Sequence, residues 1–529
     1  MNLPARIKSY QSLVDVINAC KLSHNTIIWH EKEATTDSYQ AIQADAYTLA
    51  QRLYQKIHHQ RVGLVAEMNR EFIIRFFACQ YLGITPVLLP VKSFNETHWH
   101  HKIEQLLQSA QCNTLFGDYE ANDFATITCF TEHDFVASCS EDWAITAHSD
   151  AYIQFSSGTT GIQKGIVVTQ RALLTNIYDI LIHGLNIQEE DKAISWLPFF
   201  HDMGLVGFFL APFVAQCELH YLVTRQFLRN PMRWLELIST HQLTISYAPN
   251  FAYERLSRYP ADNPPQDLNL QSWRIAGIGA ETIQMKTLNA FNDNFQAHGF
   301  QKDAFWPSYG MAEATLAISM RSKDDPLIID HGNVSCGRIL PAFNVTILPT
   351  KTSPLSAESI ASFSNNVGEL AIKASCLAHR YSDETSLSLS QNYFLTGDLG
   401  YIKENQLFII GRKKECIIIN GRNIWPQAIE VELEKVLPAS IAFLVTPIQY
   451  QDQEQIAMVF AKSQWDEEEM NVVTMLCLEA LFSHFGCTAR GFFITNKALL
   501  KTTSGKPARL VIAEAIQAGS LPVETRNSI

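Results

Sequence analysis

Hydrophobic and polar positions in the first hundred residues follow the pattern of alternating strands and helices. Apolar residues recur at helical spacing over residues 38–60, which predicts an amphipathic helix. Short apolar runs at residues 61–65 and 84–90 predict buried strands on either side of a second helix at residues 71–82. Strands that alternate with helices indicate parallel α/β layers.

The alternation continues along the chain. Further strands are predicted at residues 151–155 and 243–248, and a helix at residues 170–184. The segment from Pro349 to Asn366 is rich in Ser, Thr and Asn, which predicts a surface loop. We therefore expect an α/β protein with no internal repeat of fixed period.

A domain boundary is predicted near residue 414. The apolar strand at residues 407–410 is followed by Gly-Arg-Lys-Lys at residues 411–414, a second strand at residues 416–419 and a helix that begins near Pro426. We predict an N-terminal domain of residues 1–413 and a C-terminal domain of residues 414–529, which is an ordinary size for a second domain.

Composition narrows the class of protein. With 529 residues, of which 47% are hydrophobic and 18% charged, the chain has material for a large core. A net charge of −12 argues against a general nucleic-acid binder. No apolar run has the length of a transmembrane helix, and the first twenty residues lack the pattern of a signal peptide. We therefore expect a cytoplasmic protein whose 11 cysteines are reduced thiols.

A segment rich in glycine and hydroxyl groups follows the strand predicted at residues 151–155. Backbone N–H groups and hydroxyls in such a loop can hold phosphate oxygens, and Lys164 adds positive charge. The spacing differs from the P-loop, which requires Gly-Lys-Ser/Thr, and by itself the segment is also compatible with a flexible polar turn. The segment comprises Ser156, Ser157, Gly158, Thr159, Thr160, Gly161, Ile162, Gln163, Lys164 and Gly165.

Two further segments offer carboxylates. Tyr309 precedes Glu313 in a Tyr-Gly-Met-Ala-Glu run, where the ring can lie against a purine and the carboxylate can hold Mg²⁺. A glutamate in the first turn of a helix would give the same pattern. Asp398 lies in Thr-Gly-Asp-Leu-Gly, with Arg412 downstream, and can accept hydrogen bonds from ribose hydroxyls or cap a turn.

A polar loop near the end of the chain carries one lysine. The run Lys-Thr-Thr-Ser-Gly-Lys occupies residues 501–506 and ends at Lys506. Without context, a lysine in such a loop would be interpreted as a solvated surface residue.

Together and in this order, these segments resemble the motifs of the adenylate-forming superfamily, which includes acyl-CoA synthetases, luciferases, peptide-synthetase adenylation domains and fatty acyl-AMP ligases. The resemblance covers nearly the whole chain. It implies a large multi-layer α/β N-terminal domain and a small, mobile α+β C-terminal domain that carries the catalytic lysine. The segments that are similar to fatty acyl-AMP ligases in particular are residues 196–205, 248–253, 279–281 and 421–427, together with alanine at position 312.

The resemblance implies ATP and Mg²⁺ as cofactors, with no tightly bound organic cofactor. It implies that Lys506 contacts the α-phosphate and the substrate carboxylate, that Glu313 holds Mg²⁺, and that Lys164 and its loop surround the β- and γ-phosphates. Asp398 and Arg412 would hold the ribose. Lys414 would be the hinge between the domains. The other residues implied to bind ATP or AMP are Ser156, Ser157, Gly158, Thr159, Thr160, Gly161, Ala280, Glu281, Tyr309, Gly310 and Met311.

The substrate implied by the resemblance is a fatty acid or another carboxylic acid. The candidate residues of the acyl pocket are His201, Met203, Gly204 and Phe251. A histidine at position 201 is equally compatible with a packed core residue.

One departure from the fatty acyl-AMP ligase pattern concerns the thiol acceptor. Those enzymes carry an extra segment of some twenty residues after the Tyr-Gly-Met-Ala-Glu motif, which is associated with their failure to use coenzyme A. Here only Ala314 to Asn333 separate that motif from the Val-Ser-Cys-Gly-Arg run at residues 334–338. We expect an acyl carrier protein in trans as the acceptor, with coenzyme A as the alternative. A catalytically inactive relative or an amino-acid adenylating module fits the retained motifs less well.

Overall fold

In the computed structural model of the protein, the α-helices lie mainly in residues 3–295 and 426–517. The described residues are 2–31, 33–54, 57, 60–92, 96–117, 119, 124, 126–131, 134, 145, 148–155, 163–258, 267–349, 367–378, 380–387, 389–390, 392–419, 422–438, 441–450, 453–499 and 508–527. Their α-helices are α1 Leu3–Ser9, α2 Leu13–Ala19, α3 Tyr39–Leu53, α4 Arg70–Leu82, α5 Glu96–Ser109, α6 Gln170–Tyr178, α7 Asp202–Leu205, α8 Ala211–Ala215, α9 Thr224–Arg229, α10 Met232–His241, α11 Asn250–Ser257, α12 Met285–Phe295, α13 Pro426–Leu433, α14 Glu467–Phe485 and α15 Arg509–Gln517.

The strands lie between these helices in the N-terminal part of the chain and dominate residues 305–425. They are β1 Thr26–His30, β2 Ala34–Ser38, β3 Arg61–Val65, β4 Thr85–Leu89, β5 Thr114–Phe116, β6 Thr128–Phe130, β7 Asp150–Phe155, β8 Gly165–Thr169, β9 Lys192–Ser195, β10 Glu218–Leu222, β11 Ile245–Ala248, β12 Ile275–Ile278, β13 Phe305–Gly310, β14 Ala317–Met320, β15 Ile329–Asp330, β16 Asn333–Val334, β17 Arg338–Ile339, β18 Phe343–Pro349, β19 Gly368–Ala374, β20 Arg380–Tyr381, β21 Leu389–Ser390, β22 Tyr393–Lys403, β23 Gln406–Arg412, β24 Ile417–Ile419, β25 Arg422–Ile424, β26 Ala442–Tyr450, β27 Gln453–Lys462, β28 Ala489–Thr495 and β29 Val523–Asn527.

Local sequence explains where the predicted helices begin, and less well where they end. Helix α3 begins at Tyr39 because the side chain of Ser38 accepts a hydrogen bond from the backbone N–H of Ala41. It ends at Leu53, earlier than the predicted residue 60, because the next residue takes an extended conformation. The helix predicted at residues 170–184 is α6 followed by a π-helical turn, Asp179–Gly184. The loop predicted at residues 349–366 lies outside the described residues beyond Pro349.

Two large sheets form the N-terminal part of the described chain. One has nine strands in the order β17-β14-β13-β12-β11-β9-β10-β1-β2, and its strands from β13 to β1 run parallel. The other has seven strands in the order β20-β8-β7-β4-β3-β5-β6, and its strands from β7 to β6 run parallel. The predicted α/β fold class is therefore confirmed, and antiparallel strands complete the edges of both sheets.

Smaller sheets follow. Strands β18, β19, β22, β21 and β23 form an antiparallel sheet, in which β23 pairs with β22. After residue 414, a sheet of β26, β27, β28 and β29 forms, and β24 pairs with β25. Strand β27 pairs with β28 in parallel, and the other pairs of this sheet are antiparallel.

The hydrophobic core follows the same grouping of elements. Buried apolar side chains between Ile7 and Phe394 form one large cluster, and a smaller cluster lies between Val65 and Val167. From Ile417 onward, the apolar side chains form two clusters of their own. The division into residues 1–413 and 414–529 as separate, mobile domains stays a prediction.

Two expectations from composition can be compared with the described residues. None of their helices combines the length and the apolar character needed to cross a bilayer. All of their cysteines are free thiols, and most of them are buried. Burial raises the pKa of Cys79 and Cys477 to about 12, so these thiols are protonated and unreactive at neutral pH.

Candidate active site

Three of the predicted motif segments begin where parallel strands of the nine-stranded sheet end. Strand β11 ends at Ala248, β12 is followed by Gly279 and Ala280, and β13 ends at Tyr309 and Gly310. Because these strands are parallel neighbours, their carboxyl ends lie at one edge of the sheet. Ligands of open α/β sheets bind at such an edge.

A hydrogen-bonded cluster joins three of the predicted residues. The hydroxyl of Tyr309 donates to Oδ2 of Asp398 across 2.6 Å. Nε of Arg412 lies 3.1 Å from Oδ1 of the same carboxylate. Asp398 and Arg412 face each other as a pair in the β22–β23 register, so the backbone fixes their separation. The aromatic ring, the carboxylate and the guanidinium are thus brought together from three strands.

Burial and charge set the protonation of this cluster. Asp398 is only 5% exposed, whereas the side chain of Arg412 is half exposed. Burial, followed by the Asp398 carboxylate, raises the pKa of Tyr309 well above its ordinary value, so its hydroxyl stays a hydrogen-bond donor. Asp398 raises the pKa of Arg412 further, so the guanidinium remains charged. The cluster can present a fixed carboxylate and a fixed cation to a polar ligand.

Glu313 lies on the same side of the site, beside a segment that leads to β20. Its backbone carbonyl accepts a hydrogen bond from the N–H of Ala378, across 2.9 Å. Two residues further on, Thr315 donates from Oγ1 to the carbonyl of Cys376 across 2.8 Å. Burial raises the pKa of Glu313 above its usual value, and the cation of Arg412 opposes that rise.

The donor set around Glu313 is compatible with Mg²⁺. Magnesium prefers one or two carboxylate oxygens and completes its shell with water and phosphate. The carboxylates of Asp202 and Asp398 are close enough to raise the pKa of Glu313 further, and a bound dication would lower the mutual repulsion of these three groups. The assignment of Glu313 as the metal ligand stays a prediction.

Lys164 stands next to an aromatic residue that the sequence motifs do not include. Its Nζ lies 4.7 Å from the centre of the Tyr381 ring, a cation–π contact. Burial and then the carboxylate of Glu313 raise the pKa of Tyr381. Tyr381 therefore lies near both Lys164 and Glu313, in β20, which pairs with β8.

Two non-glycine residues of the site have a positive φ. Ala280 has φ 68° and Thr315 has φ 71°. This region is sparsely populated by residues that carry a Cβ, and it costs of order 1–3 kcal/mol, so the surrounding structure must enforce it. At Gly310 the constraint is steric: a Cβ there would lie 1.8 Å from the carbonyl oxygen of Leu316 and would clash with it. The backbone of the site is thus held in rare conformations and in close packing.

An apolar cavity of about 80 Å³ opens beside this cluster. One end is formed by Ala280, Ser308, Tyr309 and Gly310, which are the ends of β12 and β13. The other end is lined by apolar side chains from the π-helical turn after α6, from the segments around α7 and α8 and from strands β9 and β11, among them Ile180, Leu181, Leu185, Ile187, Ala193, Phe208, Ala211, Cys217 and Ile245. The cavity therefore connects a polar, charged region with an apolar one.

Of the four predicted pocket residues, one lines this cavity. Met203 lines it, next to Asp202. Gly204 packs against the preceding loop, where a Cβ would lie 2.2 Å from the carbonyl oxygen of Pro198. The ring of Phe251 packs edge-on against Trp196, and the ring of His201 lies against Phe200. The part of His201, Gly204 and Phe251 in substrate binding stays a prediction.

The remaining residues that were predicted to bind the nucleotide or to form the hinge make the following contacts. The backbone N–H of Met311 donates to the carbonyl of Leu316 across 2.8 Å. Glu281 accepts a hydrogen bond from the N–H of Phe251 across 2.8 Å, so its carboxylate supports the first turn of α11. Lys414 is exposed in a short 3₁₀ turn, Lys413–Glu415, directly after β23.

Several predicted residues lie outside the described residues. They are Ser156, Ser157, Gly158, Thr159, Thr160, Gly161 and Lys506. Their roles stay predictions from the sequence motifs.

Sequence reasoning missed residues that act through tertiary contacts. Tyr381 belongs to no motif, and only the pairing of β20 with β8 brings it to Lys164. The apolar lining gave no local signal, because its side chains are ordinary core residues from distant segments. Gly184 packs against one of these lining residues, since a Cβ there would lie 2.5 Å from Sδ of Met320.

Comparison with known proteins places this geometry in a family. Residues 18–382 match the family of AMP-binding enzymes. A putative acyl-CoA synthetase of Caulobacter vibrioides is 32% identical over 530 aligned positions, which cover 91% of this chain and 90% of that protein. A medium-chain-fatty-acid–[acyl-carrier-protein] ligase of Moorena producens is 28% identical over 77% of this chain and 77% of that protein.

A solved structure extends the similarity to three dimensions. It comes from a study of fatty acyl-adenylate ligases from E. coli and L. pneumophila and superposes with a TM-score of 0.85 at 30% identity, covering 97% of this chain and 98% of that chain. The agreement spans both the sheet edge that carries the polar cluster and the residues after 414. The chain therefore belongs to the AMP-binding, adenylate-forming enzyme family, and it is similar to the fatty acyl-adenylate ligases within it.

Proposed function

We propose that the protein activates a fatty acid with ATP, forms an acyl-adenylate, and transfers the acyl group to the phosphopantetheine thiol of an acyl carrier protein in trans. The observation that carries this proposal is the cavity with two unlike ends. Tyr309 stands at the polar end beside Asp398, and apolar side chains such as Leu185 line the other end. An acyl-adenylate has the same division into a nucleotide and a hydrocarbon chain.

In the first step, the substrate carboxylate attacks the α-phosphorus of ATP. A bond forms between a carboxylate oxygen and that phosphorus, and the bond to the β-phosphate oxygen breaks, which releases pyrophosphate. A carboxylic acid is already ionised at neutral pH, so the step needs no general base. Because two anions must meet, the protein's task is to supply positive charge and alignment. Lys506 would act at the α-phosphate, and Lys164 at the β- and γ-phosphates.

The nucleotide would be held by the cluster at the sheet edge. Asp398 is buried and fixed by Tyr309 and Arg412, so its remaining acceptor positions can receive the two ribose hydroxyls without further ordering. The adenine would lie near Ala280 and the Tyr309 ring, which both border the cavity. Mg²⁺ at Glu313, when bound, would neutralise phosphate charge.

In the second step, a thiolate attacks the acyl carbonyl and AMP leaves. One static site would serve the two reactions poorly, because adenylation and thiol attack need different groups at the acyl carbonyl. We propose rotation of the C-terminal part about Lys414, which would withdraw Lys506 and open that path. The exposed position of Lys414, directly after β23, supports a hinge there.

Coenzyme A remains the second candidate acceptor, and one observation favours it. The segment that is extended in fatty acyl-AMP ligases is short here, and Ala317–Met320 and the hairpin of β15 and β16 occupy it. The Caulobacter relative is also named a putative acyl-CoA synthetase.

The use of ATP supports a cytoplasmic location for this reaction. The net charge of −12 supports the absence of a nucleic-acid partner.

The test separates adenylation from transfer. The enzyme is incubated with ATP, Mg²⁺ and a mixture of fatty acids, and the mass of the acyl-adenylate identifies the preferred acid. Thioester yield from that adenylate is then compared between holo carrier protein and free coenzyme A. We expect pyrophosphate release and higher yield on the carrier protein. No acyl-adenylate from any acid would refute the proposal, and robust acyl-CoA formation without transfer to a carrier would assign coenzyme A.

A further inference from the structure

Three histidines from distant segments meet away from the sheet edge that carries the motifs. His30 ends β1, His220 lies in β10 and His241 ends α10. One ring nitrogen of each lies within 4.8 Å of the others, and within the described part of the chain this is the one group of three metal-ligating side chains so arranged. Nε2 of His30 and Nδ1 of His220 are 2.9 Å apart. We call these residues the histidine cluster.

Strand pairing explains why the first two imidazoles face each other. In the parallel pair of β1 and β10, Ile28 is opposite His220. Side chains of alternate strand residues point to the same face, so His30, two residues after Ile28, is the diagonal neighbour of His220. His241, at the C-terminal end of α10, completes the cluster, with ring centres 5.1 Å from His30 and 4.7 Å from His220.

A carboxylate fixes the tautomer of His220. Oε1 of Glu218 lies 3.2 Å from Nε2 of His220, and a carboxylate oxygen only accepts, so Nε2 carries the proton. The lone pair of His220 is therefore on Nδ1, which points at His30. Histidines that bind metal ions have this arrangement, in which one nitrogen donates to a carboxylate and the other ligates.

The surroundings of the histidine cluster do not oppose a dication. Lys192 is 3.0 Å from Glu218, and Arg233 is 3.2 Å from Glu236, so each nearby cation has an acidic partner. His30 is 4% exposed and His220 only 1%, so both imidazoles are shielded from bulk solvent. His241 is partly exposed, which leaves a route for an ion and for a water ligand.

We propose that His30, His220 and His241 form a binding site for a divalent transition-metal ion, with Zn²⁺ as the expected ion. Three imidazoles suit Zn²⁺, Cu²⁺ or Ni²⁺, whereas Mg²⁺ and Ca²⁺ prefer oxygen ligands. The ion would tie the N-terminal strand β1 to β10 and α10. Strand β10 directly follows Cys217, which lines the apolar cavity, so the ion would also stabilise one wall of that cavity.

Cobalt provides the test, because its absorption spectrum reports its ligands. The full-length protein is freed of metal with a chelator and titrated with Co²⁺. We expect one equivalent to bind with the ligand-field bands of a nitrogen and oxygen site, without the sulfur-to-cobalt charge-transfer band of cysteine ligands. Added Zn²⁺ should displace the Co²⁺. An absence of saturable binding, or a charge-transfer band from sulfur, would overturn the proposal.

Two variants and a control assign the binding to the cluster. His241→Gln removes the partly exposed ligand, and Glu218→Gln removes the carboxylate that orients His220. Each should weaken Co²⁺ binding at least about tenfold, as loss of such partners does in other sites. His24→Gln alters an exposed histidine elsewhere and should bind like the wild type. Folding is checked by thermal melting in chelator. If the folded variants bound Co²⁺ as tightly as the wild type, the cluster would be only a hydrogen-bonded group.

Discussion

The two ends of the cavity are built on different principles. At the polar end, the hydroxyl of Tyr309 donates to the carboxylate of Asp398 across 2.6 Å, and Nε of Arg412 lies 3.1 Å from the same carboxylate. At the apolar end, residues such as Ile187 and Cys217 contribute only surface and volume. Directed hydrogen bonds require particular side chains at particular positions, whereas apolar contacts tolerate exchange at similar volume.

This difference predicts that the two ends of the cavity have separate tasks, one in the reaction and one in the choice of the acid. The polar end would carry the steps that are common to all acids, and the apolar end would decide which acid enters. Changes at the polar end should therefore lower the rate or the affinity for ATP with every acid. Changes at the apolar end should alter the choice of acid and leave the use of ATP intact.

The largest effect is expected from Lys506→Ala. Removal of one positioned charge at the α-phosphate should lower pyrophosphate release on the order of 10²-fold or more, with every fatty acid. The melting temperature should change little, because the sequence predicts a polar loop around the lysine, whose loss should leave no core cavity. Lys435→Ala removes an exposed lysine that pairs with Glu432 in the same part of the chain, and it serves as the control. Activity within a few-fold of the wild type would refute the role of Lys506.

Asp398→Asn should raise the KM for ATP. The substitution removes the charge that Arg412 pairs with and weakens the acceptor for Tyr309. A hydrogen bond to a charged group contributes about 1.5–3 kcal/mol, which corresponds to roughly tenfold to hundredfold in the KM. The acid preference should not change, and initial rates over a range of ATP concentrations with two acids provide the measurement.

Asp330→Asn is a matched control for that variant. Asp330 accepts a hydrogen bond from the hydroxyl of Tyr401 across 2.8 Å and one from Nζ of Lys403 across 2.6 Å. It has the same kind of partners as Asp398 and does not line the cavity. Equal effects of the two variants on the KM for ATP would show that Asp398 acts only through stability.

Glu313→Gln should change the dependence on magnesium. The amide keeps the shape of the side chain and loses the negative charge that Mg²⁺ prefers, so the Mg²⁺ concentration for half-maximal rate should rise about tenfold. Pyrophosphate release is measured over a magnesium series at fixed ATP. An unchanged magnesium curve would count against Glu313 as the ligand.

The smallest effect, and the most selective, is expected from Gly207→Leu. Gly207 lines the cavity, and a Cβ there would make only an ordinary contact with Leu316, at 3.5 Å. A leucine side chain would occupy part of the cavity of about 80 Å³ and exclude the end of long acids. Each excluded methylene is worth about 0.8 kcal/mol, roughly fourfold in relative kcat/KM. Competition between acids measures this shift, and a large rise in the KM for ATP would contradict the separation of the two ends.

The elements were predictable where their signals were local. Helix α4 begins and ends within one residue of its prediction, because Asn69 caps its start and Gly83 its end. The end of α3 was predicted too late, since no glycine or proline marks the stop before residue 60. The π-helical turn after α6 keeps nearly helical spacing, so the hydrophobic pattern alone did not distinguish it.

The sequence by itself determined the order of the motifs and the side chains that can carry charge. Tyr309, Asp398 and Arg412 were recognisable because the segments that contain them resemble, in sequence and in order, the motifs of the adenylate-forming superfamily. Only the tertiary structure decided that Tyr381 reaches Lys164, that apolar residues from separate segments enclose one cavity, and that His30 meets His220 and His241. These contacts join positions far apart in the chain, and strand order and register set them, which no local pattern encodes.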